Sequence, residues 1–405
     1  MSEQAHTVID LEPVRRVALM VTPQARGEVI DQVWEAVSTI RAILRQQSAA
    51  MTVTAQTVFL RRAEDAQICR SLFRAYFGER MPATTFVVQP PCGGQALAIE
   101  AWALGGEGVD LQFLQPDVVC VAYDGLRWIH IGGVTASPSA VSAYAQSRQA
   151  FEETAWRLEQ AGGSFRDVVR LWLYLGGITE TEESVERYRE LNRARTDFFH
   201  EQETRGQMIV QRDGNSHYPA STGIGTAGRE FTLSCLALQT NRTDVLLRPL
   251  ENPRQTSAFR YAQEFSPQSP KFSRAMAVVI GDYVTTWISG TASIVNSESV
   301  HLGDVERQTE QTIDNICDLI GPENFARHGI PGGGARLSDL AKVRVYVKHA
   351  EDVGTCRAVC ERRFGRLPTI YAEADVCRSN LLVEIEGVAF SPLHRPGGRA
   401  QGVGS

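Results

Sequence analysis

The sequence predicts an α+β protein made of three tandem copies of one unit: a strand, a long amphipathic helix, a second strand, a second helix and a last strand led by proline. Three observations predict it. The pattern returns three times along 405 residues; Pro82, Pro219 and Pro368, which open the last strands, lie 137 and 149 residues apart; and the first helices carry apolar stripes at intervals of three and four. Spacing of that size marks domain-scale repeats rather than a solenoid. Each copy is expected to lay two helices on one face of a mixed sheet.

In the first copy, expected over 12–112, "EVIDQVWEAVSTIRAIL" places Val29, Val33, Val37, Ile40 and Leu44 on one helix face. "MTVTAQTVFLRR", "AQICRSLFRAYFG" and "MPATTFVVQPPCGGQALAIEAWAL" then supply strand, helix and closing strands. The second copy, 113–245, repeats the order in "LRWIHIGGVTA", "SRQAFEETAWRLEQAG", "DVVRLWLYLGGI", "ESVERYRELNRARTDFF" and "YPASTGIGTAGREFTLSCLAL". Pro249, Pro253, Pro267 and Pro270 predict an irregular linker over 246–273. The third copy, 274–395, contains "VTTWISGTASI", "QTEQTIDNICDLIG" with the stripe Ile313, Ile316 and Ile320, "DLAKVRVYVKH", "DVGTCRAVCERRFG" and "LPTIYAEADVCRSNLLVEIEGVAF". "GIPGGGARLS" (329–338) has the glycines of a phosphate loop but neither a GK[ST] ending nor a preceding strand, so it reads as a mobile insertion and candidate pocket lid.

Composition bounds the function. With 43% apolar and 22% charged residues, a net charge of -6 and a pI near 5.8, the chain is globular and does not present a general nucleic-acid or acidic-membrane surface. A local basic pocket for a small anion remains compatible with that balance. The start lacks a basic n-region before an apolar core, and no stretch approaches a membrane span, which places the protein in the cytoplasm. Eight cysteines without a CxxC pair or companion histidines indicate neither zinc nor a disulfide framework, and no metal, nucleotide or cofactor motif stands out.

The last strand carries the chemistry. Side chains alternate along a strand, so Glu384 and Glu386 share one face with Leu382 and Val388, while Val383 and Ile385 face the other way. Alignment of the copies sets Glu384 opposite Ala98 and Thr232, and Glu386 opposite Glu100 and Ser234. The third copy alone holds both acids. Burial among Leu382, Val388 and Trp287, with the like charge of Glu386, is expected to raise the pKa of Glu384. Glu386, retained as Glu100 in the first copy, reads as a structural acid, either ion-paired or solvated at a sheet edge. His130 and His217 read as hydrogen-bonded structural histidines.

"SGTA", "QTEQTIDNI", "KVRVYV" and "VEIEGVA" in the third copy resemble the Rid/YjgF family, whose small, chorismate-mutase-like α+β subunits form homotrimers with ligand pockets at their interfaces. Three such modules in one chain imply a covalent pseudo-trimer, present as a monomer or a weak homo-oligomer. Counting two residues from the prolines puts Thr84, Ser221 and Ile370 where Rid imine deaminases carry a substrate-binding arginine, which argues against that activity.

"YPASTGIG" and "LPTIYAEADVCRSNLLVEIEG" are similar instead to the chorismatases, over roughly residues 115–392. The resemblance implies a cofactor-free enzyme that removes the enolpyruvyl group of chorismate as pyruvate, with Glu384 at the position of the catalytic acid. Gly290 and Cys377 match the positions that separate 3-hydroxybenzoate-forming members from hydrolytic ones and point to the former. The substrate's two carboxylates call for guanidinium and hydroxyl partners, for which Arg378, Arg344, Arg212, Tyr218, Ser221, Thr222 and the backbone of Gly223 are candidates. A hydrolytic chorismatase giving a dihydroxycyclohexadiene carboxylate, a mixed 3-/4-hydroxybenzoate producer and a non-catalytic Rid-like binder of small carboxylates stand as alternatives.

Overall fold

The computed structural model describes residues 5–394 apart from 25, 116, 210–216 and 261–267. Five strands form the first sheet: β1 (His6–Leu11), β2 (Val14–Val21), β3 (Thr52–Leu60), β4 (Ala83–Val87) and β5 (Leu97–Gly106), in the order β1-β2-β5-β3-β4. Helices α1 (Val29–Arg45) and α2 (Asp65–Phe77) cover it. The α1 stripe is the expected one, with Val33, Val37 and Ile40 buried and Val29 and Leu44 half-buried at its ends.

The second sheet joins β6 (Asp110–Gln115), β7 (Val118–Tyr123), β8 (Leu126–Thr135), β9 (Val168–Gly176), β12 (Ala220–Thr226) and β13 (Phe231–Thr240) in the order β6-β7-β8-β13-β9-β12. Helices α3 (Ala143–Gln160) and α4 (Arg187–Thr204) flank a two-residue-strand hairpin, β10 (Thr181–Glu182) and β11 (Val185–Glu186). Ser142 caps α3 by accepting from the Ala145 N–H at 3.1 Å.

The third sheet, β14-β15-β16-β21-β19-β20, is formed by β14 (Val245–Leu250), β15 (Ala275–Ile280), β16 (Tyr283–Ala292), β19 (Leu340–Val347), β20 (Thr369–Glu373) and β21 (Val383–Pro392). A small hairpin, β17 (Ile294–Val295) and β18 (Glu298–Ser299), leads to α5 (Val305–Ile320), α6 (Pro322–Arg327) and α7 (Val353–Phe364). Asp304 caps α5 by accepting from the Arg307 N–H at 3.0 Å.

All three sheets share one topology. The last long strand inserts between a hairpin strand and the strand that pairs in parallel with the proline-led one. The same irregularity recurs in each, skipping Thr54, Val169 and Ala341. These registers set Glu384 level with Thr232 and Ala98, and Glu386 level with Ser234 and Glu100. They also correct one position: Thr369, not Ile370, is level with Ser221 and Thr84, because β20 begins pairing one residue further along β19 than β12 does along β9.

Strand bounds differ from the expected divisions in two places. Strand β6 runs across 112/113 to pair with β7, and β14 runs across 245/246 into the 246–273 stretch, where 245–250 pair antiparallel with 275–280. Residues 329–338 are not a loose insertion. Ile330 and Ala335 are buried with Phe325, and the His394 N–H donates to the Gly332 carbonyl at 2.9 Å.

One face of each sheet packs on its own helices; the other faces meet. Ala18 and Leu104 of the first sheet, Val119 and Trp128 of the second, and Met276 and Trp287 of the third form one buried cluster. Beside it lies a buried polar cluster in which Glu100 is ion-paired with Lys342 and Arg344. Glu386 takes Arg344 at 3.0 Å and Arg170 at 2.5 Å, and accepts from Trp172 Nε1 at 3.1 Å and the Tyr346 hydroxyl at 3.2 Å. Arg344 also donates to the Tyr174 hydroxyl at 2.7 Å and Thr57 Oγ1 at 3.0 Å. Burial alone would raise the Glu100 pKa, but Arg344 and Lys342 outweigh it and hold the carboxyl at about 2.

Removing one partner from such a cluster leaves buried charge uncompensated. Glu100→Gln is expected to lower unfolding stability by about 3–5 kcal/mol in urea titrations at pH 7. Because the folded pKa is depressed, that contribution is present above the ordinary carboxylate pKa and fades as pH falls toward about 2. Equal urea midpoints for the two proteins at pH 7 would show that the cluster does not hold the sheets together.

Candidate active site

Strand β21 carries Glu384 and Glu386, 4% and 3% exposed, on the same face. Their surroundings differ. The Glu386 carboxylate is committed to Arg170, Arg344, Trp172, Tyr346 and Thr222. The Glu384 carboxyl makes no hydrogen bond among the described residues. Across the sheet it stands level with Ala292 and Tyr346, whereas Trp287, an expected neighbour, is level with Val388 nearer the sheet junction. Burial first and the charge of Glu386 second raise the Glu384 pKa to about 8, against smaller opposing effects of Arg170 and Arg274.

Strand β16 slips against β21 between Ile288 and Thr291, which sets Gly290 in a bulge. The Gly290 N–H donates to Thr222 Oγ1 at 2.9 Å. A Cβ at Gly290 would lie 2.0 Å from Glu384 Oε1 and 2.8 Å from its Cδ, so the missing side chain makes room for the acid itself. Cys377 sits on the loop ahead of β21. The Gly225 N–H holds Asp375 O at 2.8 Å, and the buried Gln308 on α5 accepts from the Leu382 N–H at 2.8 Å while donating to Asn380 O at 3.0 Å. Burial and then the Glu384 charge push the Cys377 thiol up to about 12, so it stays protonated at neutral pH.

Around these residues lies a cavity of about 420 Å³ between the second and third sheets, within the usual range for a small-molecule site. Of the residues singled out from sequence, Glu384, Cys377, Gly290, Arg378, Ser221 and Gly223 line it. Arg378 donates to Ser297 O at 2.8 Å on the rim hairpin. The Ser221 hydroxyl is buried without a hydrogen-bond partner among the described residues, as a ligand-facing group would be.

Three candidates lie elsewhere, and a fourth cannot be placed. Arg344 does not line the cavity, because the sheet-junction carboxylates and hydroxyls hold it. Thr222 points to the same junction and bonds Glu386, Arg170 and the Gly290 N–H. Tyr218 is packed in the second core, stacked on Phe199 with centroids 5.8 Å apart, its hydroxyl donating to Glu203 at 3.5 Å. Arg212 lies outside the described residues. No residue of 329–338 lines the cavity, which excludes that segment as its lid here; His130 and His217 do not line it either.

Sequence reasoning missed the cavity's other arginines. Arg189 and Arg195 come from α4, and Arg274 precedes β15. Arg195 and Arg274, 2% and 5% exposed, lie over Phe272 with guanidinium carbons 5.6 and 5.3 Å from the ring centroid. Arg195 donates to Asn192 at 2.6 Å, while its Nε has no hydrogen-bond partner among the described residues. A signal existed for Arg195: it falls in the apolar phase of α4 with Leu191, Ala194 and Phe198, where a charge needs a reason.

An uncommitted, largely protonated acid, a protonated thiol and convergent buried arginines can bind a small polyanion and give it a proton. Residues 115–237 match the family described as chorismatase FkbO/Hyg5-like, N-terminal. The resemblance to the chorismatases is borne out. Among curated relatives, a chorismatase of Streptomyces rapamycinicus is 41% identical over 174 residues, and a 3-hydroxybenzoate synthase of Streptomyces hygroscopicus is 38% identical over 180. These alignments cover 42% and 43% of this chain and 50% and 51% of the relatives, so the chain spans about half the length of the curated relatives it matches. A RutC family protein of Pyrococcus abyssi is 25% identical over 131 residues, covering 31% of this chain and 94% of its own. The crystal structure of a chorismatase at 1.08 Å resolution superposes with a TM-score of 0.65, covering 92% of this chain and 98% of that one at 23% identity, which shows a shared fold.

Among the described residues of this chorismatase-like chain, no group of three or more His, Cys, Asp or Glu is placed to hold a metal ion, and no helix is long and apolar enough to cross a membrane.

The raised pKa of Glu384 carries a stability signature. Ionising the buried acid costs folding free energy, so the folded protein loses stability as pH rises from the ordinary 4.5 toward about 8. Glu384→Gln removes that loss. The variant and the parent are expected to share a urea midpoint at pH 4, with the variant the more stable at pH 8.5; coincident midpoints at both values would rule out a raised pKa.

Proposed function

We propose that the chain is a chorismatase that cleaves the enol ether of chorismate, releases pyruvate and forms 3-hydroxybenzoate. The observation that carries this reading is the pairing of two carboxyls on one strand, one fully committed to ion pairs and the other free of hydrogen bonds among the described residues. Under the reading, the three sheets are Rid-like modules joined into a pseudo-trimer, and one of their junctions is the working site.

Chorismate is a dianion, and the cavity wall sets Arg189, Arg195, Arg274 and Arg378 against Glu186 and Glu298. That surplus of two positive charges, with Glu384 neutral, matches the substrate. Glu384 then gives its proton to the terminal methylene carbon of the enol ether, creating an oxocarbenium centre. The carboxylate left behind stabilises that centre electrostatically. Attack by the neighbouring ring hydroxyl on the ring carbon that bears the ether breaks that C–O bond, returns a proton to the Glu384 carboxylate and releases pyruvate; the arene oxide left behind opens to 3-hydroxybenzoate, with no net water consumed. Capture by water gives pyruvate and a dihydroxydiene acid instead. Cys377, protonated at neutral pH, orients a ring substituent as a hydrogen-bond donor rather than attacking as a thiolate.

Incubation with chorismate tests the reading directly. Parent protein is expected to release pyruvate with 3-hydroxybenzoate, and Glu384→Gln to lose at least about a hundredfold in rate while remaining folded. Since the acid must be protonated, kcat/KM is expected to be flat at neutral pH and to fall as pH passes about 8. Full activity in Glu384→Gln would eliminate the mechanism. The double variant Gly290→Ala, Cys377→Ala is expected to shift product toward the dihydroxydiene acid, and an unchanged ratio on chromatography would remove both residues from product choice.

A further inference from the structure

The geometry that builds the first site recurs at the next junction. Thr369 and Tyr371 on β20 are level with Ser221 and Gly223 on β12, and Ala98 on β5 is level with Glu384. The end of β2, Met20 and Val21, runs where the bulge of Gly290 runs in β16. The remaining junction is nearly closed: a Cβ on Gly132 would lie 2.5 Å from the backbone nitrogen of Thr84, so β8 and β4 touch there, and only about 40 Å³ stays open beside them. Between the third and first sheets, by contrast, a cavity of about 690 Å³ stays open, larger than the first.

We propose that this cavity is a second, non-catalytic binding site for a small aromatic hydroxy-carboxylic acid. Ala98 replaces the acid of the first site, so no proton donor stands at the equivalent place. The walls nevertheless keep ligand chemistry. Arg357 lies 4.4 Å over the Tyr371 ring, which fixes a guanidinium on the wall for a carboxylate. Gln95 is 8% exposed, and its Oε1 has no hydrogen-bond partner among the described residues, so it calls for a donor such as a hydroxyl. Met20, Val21 and Pro91 supply apolar surface for a ring. On the same wall Arg26 donates to Gly93 O at 2.8 Å, and Glu35 accepts from the Gln24 N–H at 2.7 Å. The proposal stands on this lining and not on the reaction assigned to the first cavity.

Isothermal titration with 3-hydroxybenzoate and with benzoate tests it, alongside chorismate turnover on the same preparations. Arg357→Ala is expected to weaken one binding event about tenfold or more, equivalent to about 1.4 kcal/mol, with Arg357→Lys intermediate and turnover within about twofold of the parent in both. Gln95→Leu is expected to weaken 3-hydroxybenzoate about fivefold at that site while leaving benzoate unchanged, because benzoate has no hydroxyl to lose a partner. Binding of both compounds that is indifferent to Arg357→Ala, Arg357→Lys and Gln95→Leu would overturn the site even if chorismate is turned over. Binding that depends on Arg357 in a protein that releases no pyruvate would sustain the site and remove the proposed reaction.

Discussion

The buried cluster of Glu100, Glu386, Arg170, Lys342 and Arg344 is the constraint on which the rest depends. Apolar packing between sheets is non-directional and would tolerate sliding. Ion pairs and hydrogen bonds in a dry interior do not tolerate it, since each misplaced charge loses its partner where no water can replace it. The cluster draws Glu100 from the first sheet, Arg170 from the second and Lys342, Arg344 and Glu386 from the third. It thereby fixes how the three sheets meet, and with them the two open cavities at their junctions.

The candidate site inherits its electrostatics from that cluster through the period of a strand. Glu384 lies two residues from Glu386, so it shares the face but sits one step further from the junction, beyond reach of the ion pairs. It therefore has the desolvation and the like charge without the compensating contacts. Burial first, and then the charge of the residue that anchors the structure, raise the Glu384 pKa. Arg170 moderates the effect, and by holding Glu386 and Thr222 together it also positions the oxygen that receives the Gly290 N–H.

Much of this was legible in the sequence because it follows from two periods. Alternation placed Glu384 and Glu386 together, and the three- and four-residue stripes placed α1 and α5 against their sheets. The copy alignment picked out the acids because the repeat is regular enough to count along. What alternation cannot give is depth along a face. Arg344 lies on the correct face of its strand but one step too near the junction, where Glu386 takes it, while Thr222 alternates with the cavity-lining Ser221 and Gly223 and so faces the junction. Tyr218 shows the converse failure, a residue type allowed to stand for a location, and Arg195 was not singled out at all. The tyrosine is core, and the arginine in the apolar phase of α4 is cavity wall.

Gly290 changes meaning once the geometry is known. From sequence, Gly290 is a position that resemblance ties to product choice; in the structure the room it leaves is filled by the Glu384 carboxyl, 2.0 Å from where a Cβ would be. Any side chain at 290 therefore acts on the acid before it acts on a ligand. Glu384 is the far end of a flexible side chain and rotates more readily than the backbone moves, so a methyl group would re-aim the proton donor within an otherwise unchanged cavity. In the proposed reaction the carboxylate formed by proton transfer faces the cationic carbon, and its direction decides which side of that carbon remains open to attack. Product choice would then follow from where the acid points rather than from the volume left for the ring. Cys377, whose thiol feels the Glu384 charge, belongs to the same arrangement.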